Sequence, residues 1–129
     1  MHFNHGYVLE QDGRAREAIA AFAEAVRLNP SFDLAWFGLG MAQARLGEHA
    51  EAAAAFAKAA ELQPMNGEAF YQWAMACHHA HQPERVAEIA KRLAGFEPKR
   101  ALKLIKDAER PDLKHLVPEE VRHFFEGSR

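Results

Sequence analysis

Residues 33–66 read DLAWFGLGMAQARLGEHAEAAAAFAKAAELQPMN, and features of this stretch recur 34 residues before and after it. The clearest marks are three prolines, Pro30, Pro64 and Pro98, each two residues beyond an apolar side chain. Proline ends a helix there because it lacks an N–H donor and restricts the residue before it. A period near 34 residues is typical of stacked helical hairpins, so we expect an all-α chain.

Small and large side chains alternate at matched places, as two closely packed antiparallel helices require. The matched sets are Gly6, Gly40 and Ala74; Gly13, Gly47 and His81; Ala18, Ala52 and Val86; and Phe22, Phe56 and Ala90. Apolar spacing and breakers predict helices at 2–12, 14–28, 32–45, 48–61, 66–80 and 83–95. We expect the core to contain Trp36, Leu39, Phe56, Leu62 and Trp73.

The segment from Asp33 to Asn66 resembles the tetratricopeptide repeat consensus. The residues that carry the resemblance are Trp36, Leu39, Gly40, Gly47, Ala52, Phe56, Ala59 and Pro64. The resemblance covers about residues 1–98 and divides them into repeats at 1–32, 33–66 and 67–98. The third repeat departs from the pattern at Ala74 and Ala90, and His2 stands where the family usually has an aromatic residue. The resemblance implies a right-handed superhelix of about three hairpins.

Residues 99–129 form the remaining unit, with a capping helix at about 99–109 and a short extra tail helix that starts near Pro118. Apolar Ala101, Leu102, Ile105 and Ala108 alternate with charged residues in the first of these. The tail helix is too short to be stable alone. It either folds back on the last repeat or occupies a groove of its own or a neighbouring chain. The first helix starts part-way, so the sequence is also consistent with a piece of a longer array.

The resemblance implies a concave groove lined by the first helix of each repeat. Carried over position by position, the groove set is Phe3, Tyr7, Gln11, Leu34, Phe37, Met41, Arg45, Glu68, Tyr71, Met75, His78 and His79, with Glu10 and Ala44 beside them. A second apolar set on the far side of these helices cannot face the hairpin partner, and exposed patches of that kind mark interaction sites. We therefore expect an adaptor or scaffold that binds a peptide or helix of a partner protein.

Self-assembly through the first repeat or the tail helix is the alternative interpretation. The subfamily that grips a terminal carboxylate uses basic groove residues, whereas Phe3, Tyr7, Met41, Glu68 and Gln72 occupy the corresponding places here. We therefore expect no ligand of that kind. The basic strip at 99–114 contains acids and lacks interleaved aromatic residues, so a solvated surface is expected rather than a nucleic-acid site.

No combination of residues indicates catalysis, and we expect no enzyme activity and no cofactor. Cys77 and His81 are four residues apart, but a structural zinc site needs four ligands and a catalytic one needs three, so no metal is expected. The 16 basic and 18 acidic side chains nearly balance, and no apolar stretch is long enough to span a membrane. A cytoplasmic protein is expected, and the alanine and arginine usage is typical of bacteria.

Overall fold

A computed structural model of the chain describes Gly6 and residues 14–127, with side chains as far as His123. All regular elements in this part of the chain are helical. The α-helices are α1 (Ala15–Leu28), α2 (Asp33–Arg45), α3 (His49–Leu62), α4 (Gly67–His79), α5 (Pro83–Ala94), α6 (Pro98–Asp107) and α7 (Glu119–Gly127), and a 3₁₀ helix (Pro111–Leu116) precedes α7. Five of these helices lie within a few residues of the predicted ranges between residues 14 and 95, and the remaining predicted helix, 2–12, lies outside the described part of the chain apart from Gly6.

Each helix from α1 to α6 packs against the next one along the chain. The connections are only a few residues long, which makes sequential helices antiparallel neighbours. Beyond the sequential pairs, α6 also contacts α4. The helices therefore stack as hairpins, with α2 and α4 as the first helices of successive hairpins.

One turn geometry ends α2, α4 and α6. In each case a residue with positive φ follows the helix: Gly47 at 78°, His81 at 61° and Glu109 at 55°. The next N–H donates to a carbonyl five residues back, at 2.9 Å in all three turns. This is the Schellman arrangement, in which a left-handed residue satisfies the last carbonyls of a helix. Because α6 ends in the same way as α2 and α4, its C-terminal turn resembles the one that follows the first helix of a hairpin.

Two apolar clusters form the core of the described part of the chain. The smaller cluster lies among α1, α2 and α3 and is centred on Phe22, whereas the larger one extends from α3 to the 3₁₀ helix. Glycine permits close packing in the smaller one: a Cβ atom on Gly6 or Gly38 would lie 2.9 or 2.6 Å from the Phe22 ring. The larger cluster includes residues from both sides of position 98, so α6 shares a core with the hairpin before it.

Three residues predicted for the core are only partly buried. Leu39 and Phe56 are buried as expected, but Trp36, Leu62 and Trp73 are half-buried. The indole Nε1 of Trp36 donates to the Pro30 carbonyl oxygen at 2.8 Å, and this contact holds the polar edge of the ring at the surface. A large aromatic ring with a polar atom commonly lies at a boundary of this kind.

The C-terminal region follows the predicted helices closely and differs in one detail. Helix α5 ends at Ala94 and α6 starts at Pro98, each within one residue of the predicted bound. A 3₁₀ helix that the sequence pattern did not indicate buries Leu113 and precedes buried Val117. The tail helix α7 contacts α6 of the same chain, and Val121 packs against the larger core cluster. This arrangement agrees with the first of the two predicted placements, in which the tail folds back.

Candidate functional site

The first helices α2 and α4 line two clefts together. A cleft of about 210 Å³ lies near their N-terminal ends and is lined by Asp33, Leu34, Phe37, Ala59, Asn66 and Glu68. A second cleft of about 330 Å³ is lined by Ala44, His49, Phe56, Tyr71, Gln72, Met75, Ala76 and His79. Most of the residues predicted for the groove on these two helices therefore line one or other cleft. The predicted residues Phe3, Tyr7, Glu10 and Gln11 lie outside the described part of the chain.

Apolar side chains on this face remain partly open to solvent. Leu34 is 50% exposed, the largest exposure among the apolar groove residues that are described. Phe37, Met41, Tyr71 and Met75 are half-buried and pack with one side against the larger core cluster. The uncovered side of this row forms an apolar surface along α2 and α4, which we call the groove face.

Phe37 contributes both to the groove face and to the core. Its ring meets the Phe56 ring edge-on, with 5.4 Å between the ring centres. Such pairs add stability beyond the apolar area that they bury. A change at Phe37 would therefore alter the stability of the hairpin as well as the surface, which makes Leu34 the cleaner position for testing binding.

The polar members of the predicted set lie towards the ends of the helices. Arg45 and His79 are exposed near the C-terminal ends of α2 and α4, whereas Glu68 and His78 are half-buried. The imidazole rings of His49 and His79 lie 4.9 Å apart, and those of His78 and His79 lie 5.2 Å apart. Among the described residues, His49 Nδ1 is buried without a hydrogen-bond partner. Within those same residues, no group of three or more potential ligands is placed to hold a metal ion.

A charged network joins α4 to α6 at the edge of the groove face. The Tyr71 hydroxyl donates to Asp107 Oδ2, and Lys103 Nζ donates to the same oxygen at 2.8 Å. The Lys103 ammonium also lies 3.3 Å from the Tyr71 hydroxyl and 4.8 Å from the centre of its ring. One turn away, Arg100 donates to Glu68 at 2.7 Å and to Glu97.

The network sets the ionisation of its members. Hydrogen bonds from Lys103 and then from Tyr71 lower the pKa of Asp107, and the bond to Asp107 raises the pKa of Lys103. Burial, followed by the hydrogen bond to Asp107, raises the pKa of Tyr71. At neutral pH the network therefore contains a carboxylate, an ammonium and a neutral phenol.

The sequence pattern did not assign these α6 residues to the site. The sequence predicts a solvated strip on a capping helix, formed by Lys99, Arg100, Lys103 and Lys106, but Arg100 contacts Glu68 and Lys103 contacts Tyr71. The sequence does contain an indication of these contacts. Arg100 follows Glu68 by 32 residues, and Lys103 follows Tyr71 by the same number, which is close to the repeat period. Treating residues 98–109 as another first helix would have placed Arg100 and Lys103 beside the predicted groove.

Cys77 is buried on the opposite side of α4, with 1% of its surface exposed. Burial raises the pKa of its thiol to about 11, although Arg85 acts in the opposite direction. His81, the partner considered for a metal site, lies exposed in the turn after α4. A thiol that is both buried and protonated is a poor nucleophile and a poor metal ligand.

We expect Cys77 to react with a thiol reagent such as DTNB only after unfolding. At pH 8 the native protein should show almost no reaction over the time in which the urea-unfolded chain reacts completely. Rapid labelling of the native protein would contradict the buried position.

The raised pKa of Cys77 also makes the stability of the protein depend on pH. The contribution of the protonated thiol to the free energy of unfolding is present below pH 9 and is lost as the pH rises towards 11, because the thiol of the unfolded chain ionises first. Urea titrations of the wild type and Cys77→Ala at pH 8 and pH 10.5 would measure this loss.

A sequence model described as "Tetratricopeptide repeat" matches residues 3–66, about half of the chain. No curated protein sequence matches the chain significantly. Among the described residues, no helix combines the length and the apolar character needed to cross a membrane.

Solved structures with a similar fold share little sequence with this chain. The second tetratricopeptide domain of human RPAP3, solved with the HSP70 peptide SGPTIEEVD, has a TM-score of 0.76 and 16% identity, covering 84% of this chain and 92% of that one. MamA has a TM-score of 0.78 and 20% identity, covering 97% and 72% respectively. YrrB, a tetratricopeptide protein with an unusual peptide-binding site, has a TM-score of 0.70 and 20% identity, covering 89% and 61%. These likenesses show a shared fold.

Proposed function

Because this chain belongs to the tetratricopeptide repeat family, we propose that it is an interaction module that holds a peptide or helix of a partner protein on the groove face. The observation that carries the proposal is the row of partly uncovered apolar side chains on α2 and α4, with Leu34 50% exposed. A contiguous apolar surface in contact with water is costly, and a partner that covers it gains the corresponding free energy.

The chemistry of the groove face suits a polypeptide ligand. Phe37 and Tyr71 provide broad apolar surfaces, and aromatic residues of this kind often contribute most to the binding energy of interfaces. Met41 and Met75 are flexible and adapt to irregular shapes. The two clefts, of about 210 and 330 Å³, have room for individual side chains of a bound segment. Shape and apolar contact are therefore expected to dominate recognition.

The structural relatives support an interaction role at a general level. The human domain was solved with a bound peptide, and YrrB has a peptide-binding site. Tetratricopeptide repeat proteins are in general interaction modules rather than enzymes. Because function depends on the site and not on the fold, the partner of this chain has to be found by experiment.

Leu34→Glu should weaken partner binding about tenfold or more, because it places a charge within an apolar contact. The measurement is fluorescence anisotropy with a labelled peptide selected from a random library on the immobilised wild-type protein. Leu28→Glu is the matched control: Leu28 is 58% exposed at the end of α1, a helix with no predicted groove residue. Both variants should keep the helical circular dichroism of the wild type.

Two outcomes would contradict the proposal. If Leu34→Glu binds the selected peptide as tightly as the wild type, the groove face is not the binding surface. If light scattering gives a multiple of 14.5 kDa for the wild type and the monomer mass for Val121→Glu, self-assembly through the tail helix replaces the adaptor role. Val121 suits this test because it is the described apolar contact of α7 with the core.

A further inference from the structure

The N-terminal end of α3 meets the C-terminal end of α4, and each end carries a histidine. His49 is the first residue of α3, and His79 is the last residue of α4. The two helices pack against each other, and the short turn between them makes them antiparallel, which brings these ends together. The two imidazole ring centres lie 4.9 Å apart, with 34° between the ring planes. The residues are 30 positions apart in the sequence, so only the packing of α3 on α4 reveals the pair.

His49 has a ring nitrogen whose bonding capacity is unused. Its Nδ1 atom is buried and has no hydrogen-bond partner among the described residues. A buried polar atom in this state costs free energy, and most such atoms in folded proteins are paired. The neighbouring His79 side chain is exposed, and exposed side chains change rotamer readily. A ligand held between the two rings would therefore give Nδ1 the partner that it lacks.

The surroundings of the pair favour a particular class of ligand. Both histidines line the cleft of about 330 Å³ described above, and Met75, which has a thioether sulfur, lines it too. Among the described residues, no aspartate or glutamate borders this cleft. Imidazole and thioether groups suit copper, nickel and zinc ions, whereas Ca²⁺ and Mg²⁺ take oxygen ligands and usually need carboxylates. The donor atoms therefore fit a transition-metal ion.

We propose that His49 and His79 bind a divalent transition-metal ion, with Cu²⁺ bound more tightly than Zn²⁺. An imidazole nitrogen lies about 2.0–2.1 Å from such an ion, which puts the ion about 3.2 Å from the ring centre. Two rings that bind one ion at about 90–109° to each other therefore have centres about 4.5–5.2 Å apart. The observed 4.9 Å lies within this range.

A site of this kind differs from the structural and catalytic zinc sites that the sequence argues against. It has two protein ligands, so water completes the coordination of the ion and the site stays open towards the cleft. One ligand belongs to the hairpin of α2 and α3, and the other belongs to the hairpin of α4 and α5. The ion would therefore join two successive hairpins, independently of any peptide on the groove face.

His78 and His79 are the competing pair, because their ring centres lie 5.2 Å apart. Two features favour His49 as the second ligand. His78 does not line the cleft, whereas His49 does, and the unpaired nitrogen belongs to His49. Replacing His78 is therefore the matched control for replacing His79, since both changes remove one imidazole from the same turn of α4.

The first test is an NMR titration of the full-length protein, labelled with ¹⁵N at its histidines, with Cu²⁺. This ion is paramagnetic and broadens the signals of the rings that bind it. In the wild type the ring signals of His49 and His79 should broaden together. The Cu²⁺ concentration that halves the His49 signal should rise about tenfold or more in His79→Ala and stay unchanged in His78→Ala.

Three results of this titration would overturn the proposal. They are a His49 signal that persists in the wild type, an equal response of that signal in His79→Ala, and its loss of response in His78→Ala. His79→Ala carries the test because its exposed side chain can be removed without disturbing the core. Circular dichroism of each variant should match that of the wild type.

The second test measures whether the ion holds the hairpins together. An ion that binds the folded state raises the urea midpoint, and its binding to histidines of the unfolded chain reduces the effect. Zn²⁺ should therefore raise the midpoint of the wild type and of His78→Ala by more than that of His79→Ala. Equal shifts in all three proteins would contradict a site that bridges α3 and α4.

Discussion

Gly40→Leu is expected to lower the free energy of unfolding by about 3 kcal/mol, the upper part of the range for overpacked cores. A Cβ atom at Gly40 would lie 2.7 Å from Phe56 Cε1 and 2.9 Å from Cζ, closer than side chains approach in folded proteins. The Phe56 ring is 1% exposed and cannot move aside without displacing its neighbours. Urea unfolding followed by circular dichroism would measure the loss. A midpoint equal to that of the wild type would refute the alignment of the hairpin.

A double-mutant cycle would show that the cost arises from this contact. Gly40→Ala should cost about 1–3 kcal/mol in the wild-type background and close to nothing in a Phe56→Ala background, where the ring is absent. The third repeat has this combination naturally, because Ala74 and Ala90 occupy the places of the glycine and the phenylalanine. Both are fully buried. The third repeat therefore departs from the family pattern by two compensating changes: a larger side chain replaces the glycine, and a smaller one replaces the phenylalanine.

Leu102→Ala is the second change with a large expected effect, about 3 kcal/mol of unfolding free energy. Leu102 is 1% exposed in the larger core cluster, between α6 and the hairpin before it. Deleting its side chain removes buried apolar area and leaves a cavity that close-packed neighbours fill only partly. Lys103→Ala, one residue further along the same helix, is the matched control and should cost less than about 1 kcal/mol because its ion pair is largely exposed.

The unfolding curve of Leu102→Ala also tests whether α6 unfolds together with the hairpins. If α6 were a detachable cap, Leu102→Ala would melt that helix alone and leave the main unfolding transition in place. Because α6 shares one core cluster with α3, α4 and α5, we expect a single cooperative transition that shifts as a whole. Two transitions, or an unchanged midpoint, would contradict this packing. A stably held α6 is also what would keep Lys103 beside Tyr71.

Much of the fold was predictable because its determinants are local. Proline and apolar spacing set where α1 to α5 lie, and the glycine and phenylalanine pair at Gly40 and Phe56 reports close packing within one hairpin. Buried Phe22, Leu39 and Phe56 follow from the same period. The structure thus confirms the all-helical fold and its hairpin pattern, and the comparisons confirm the family.

The candidate site was predictable only in part. The groove set on α2 and α4 could be carried over by position, and the structure places most of it along two shared clefts. Binding at these residues remains a prediction. The contribution of α6 was missed, because a charged helix at the end of an array has the same composition whether it faces solvent or continues a groove.

The sequence by itself determined the repeat length, the helices α1 to α5 and the buried positions of Leu39 and Phe56, since these depend on neighbours within one or two turns or across one tight turn. Only the tertiary structure decided that Arg100 meets Glu68 and that Lys103 and Asp107 meet Tyr71. Those contacts join successive hairpins, and they depend on how far each hairpin is rotated and displaced relative to the one before. That rotation results from the packing of all the helices together, so it cannot be predicted from the apolar periodicity of a single helix.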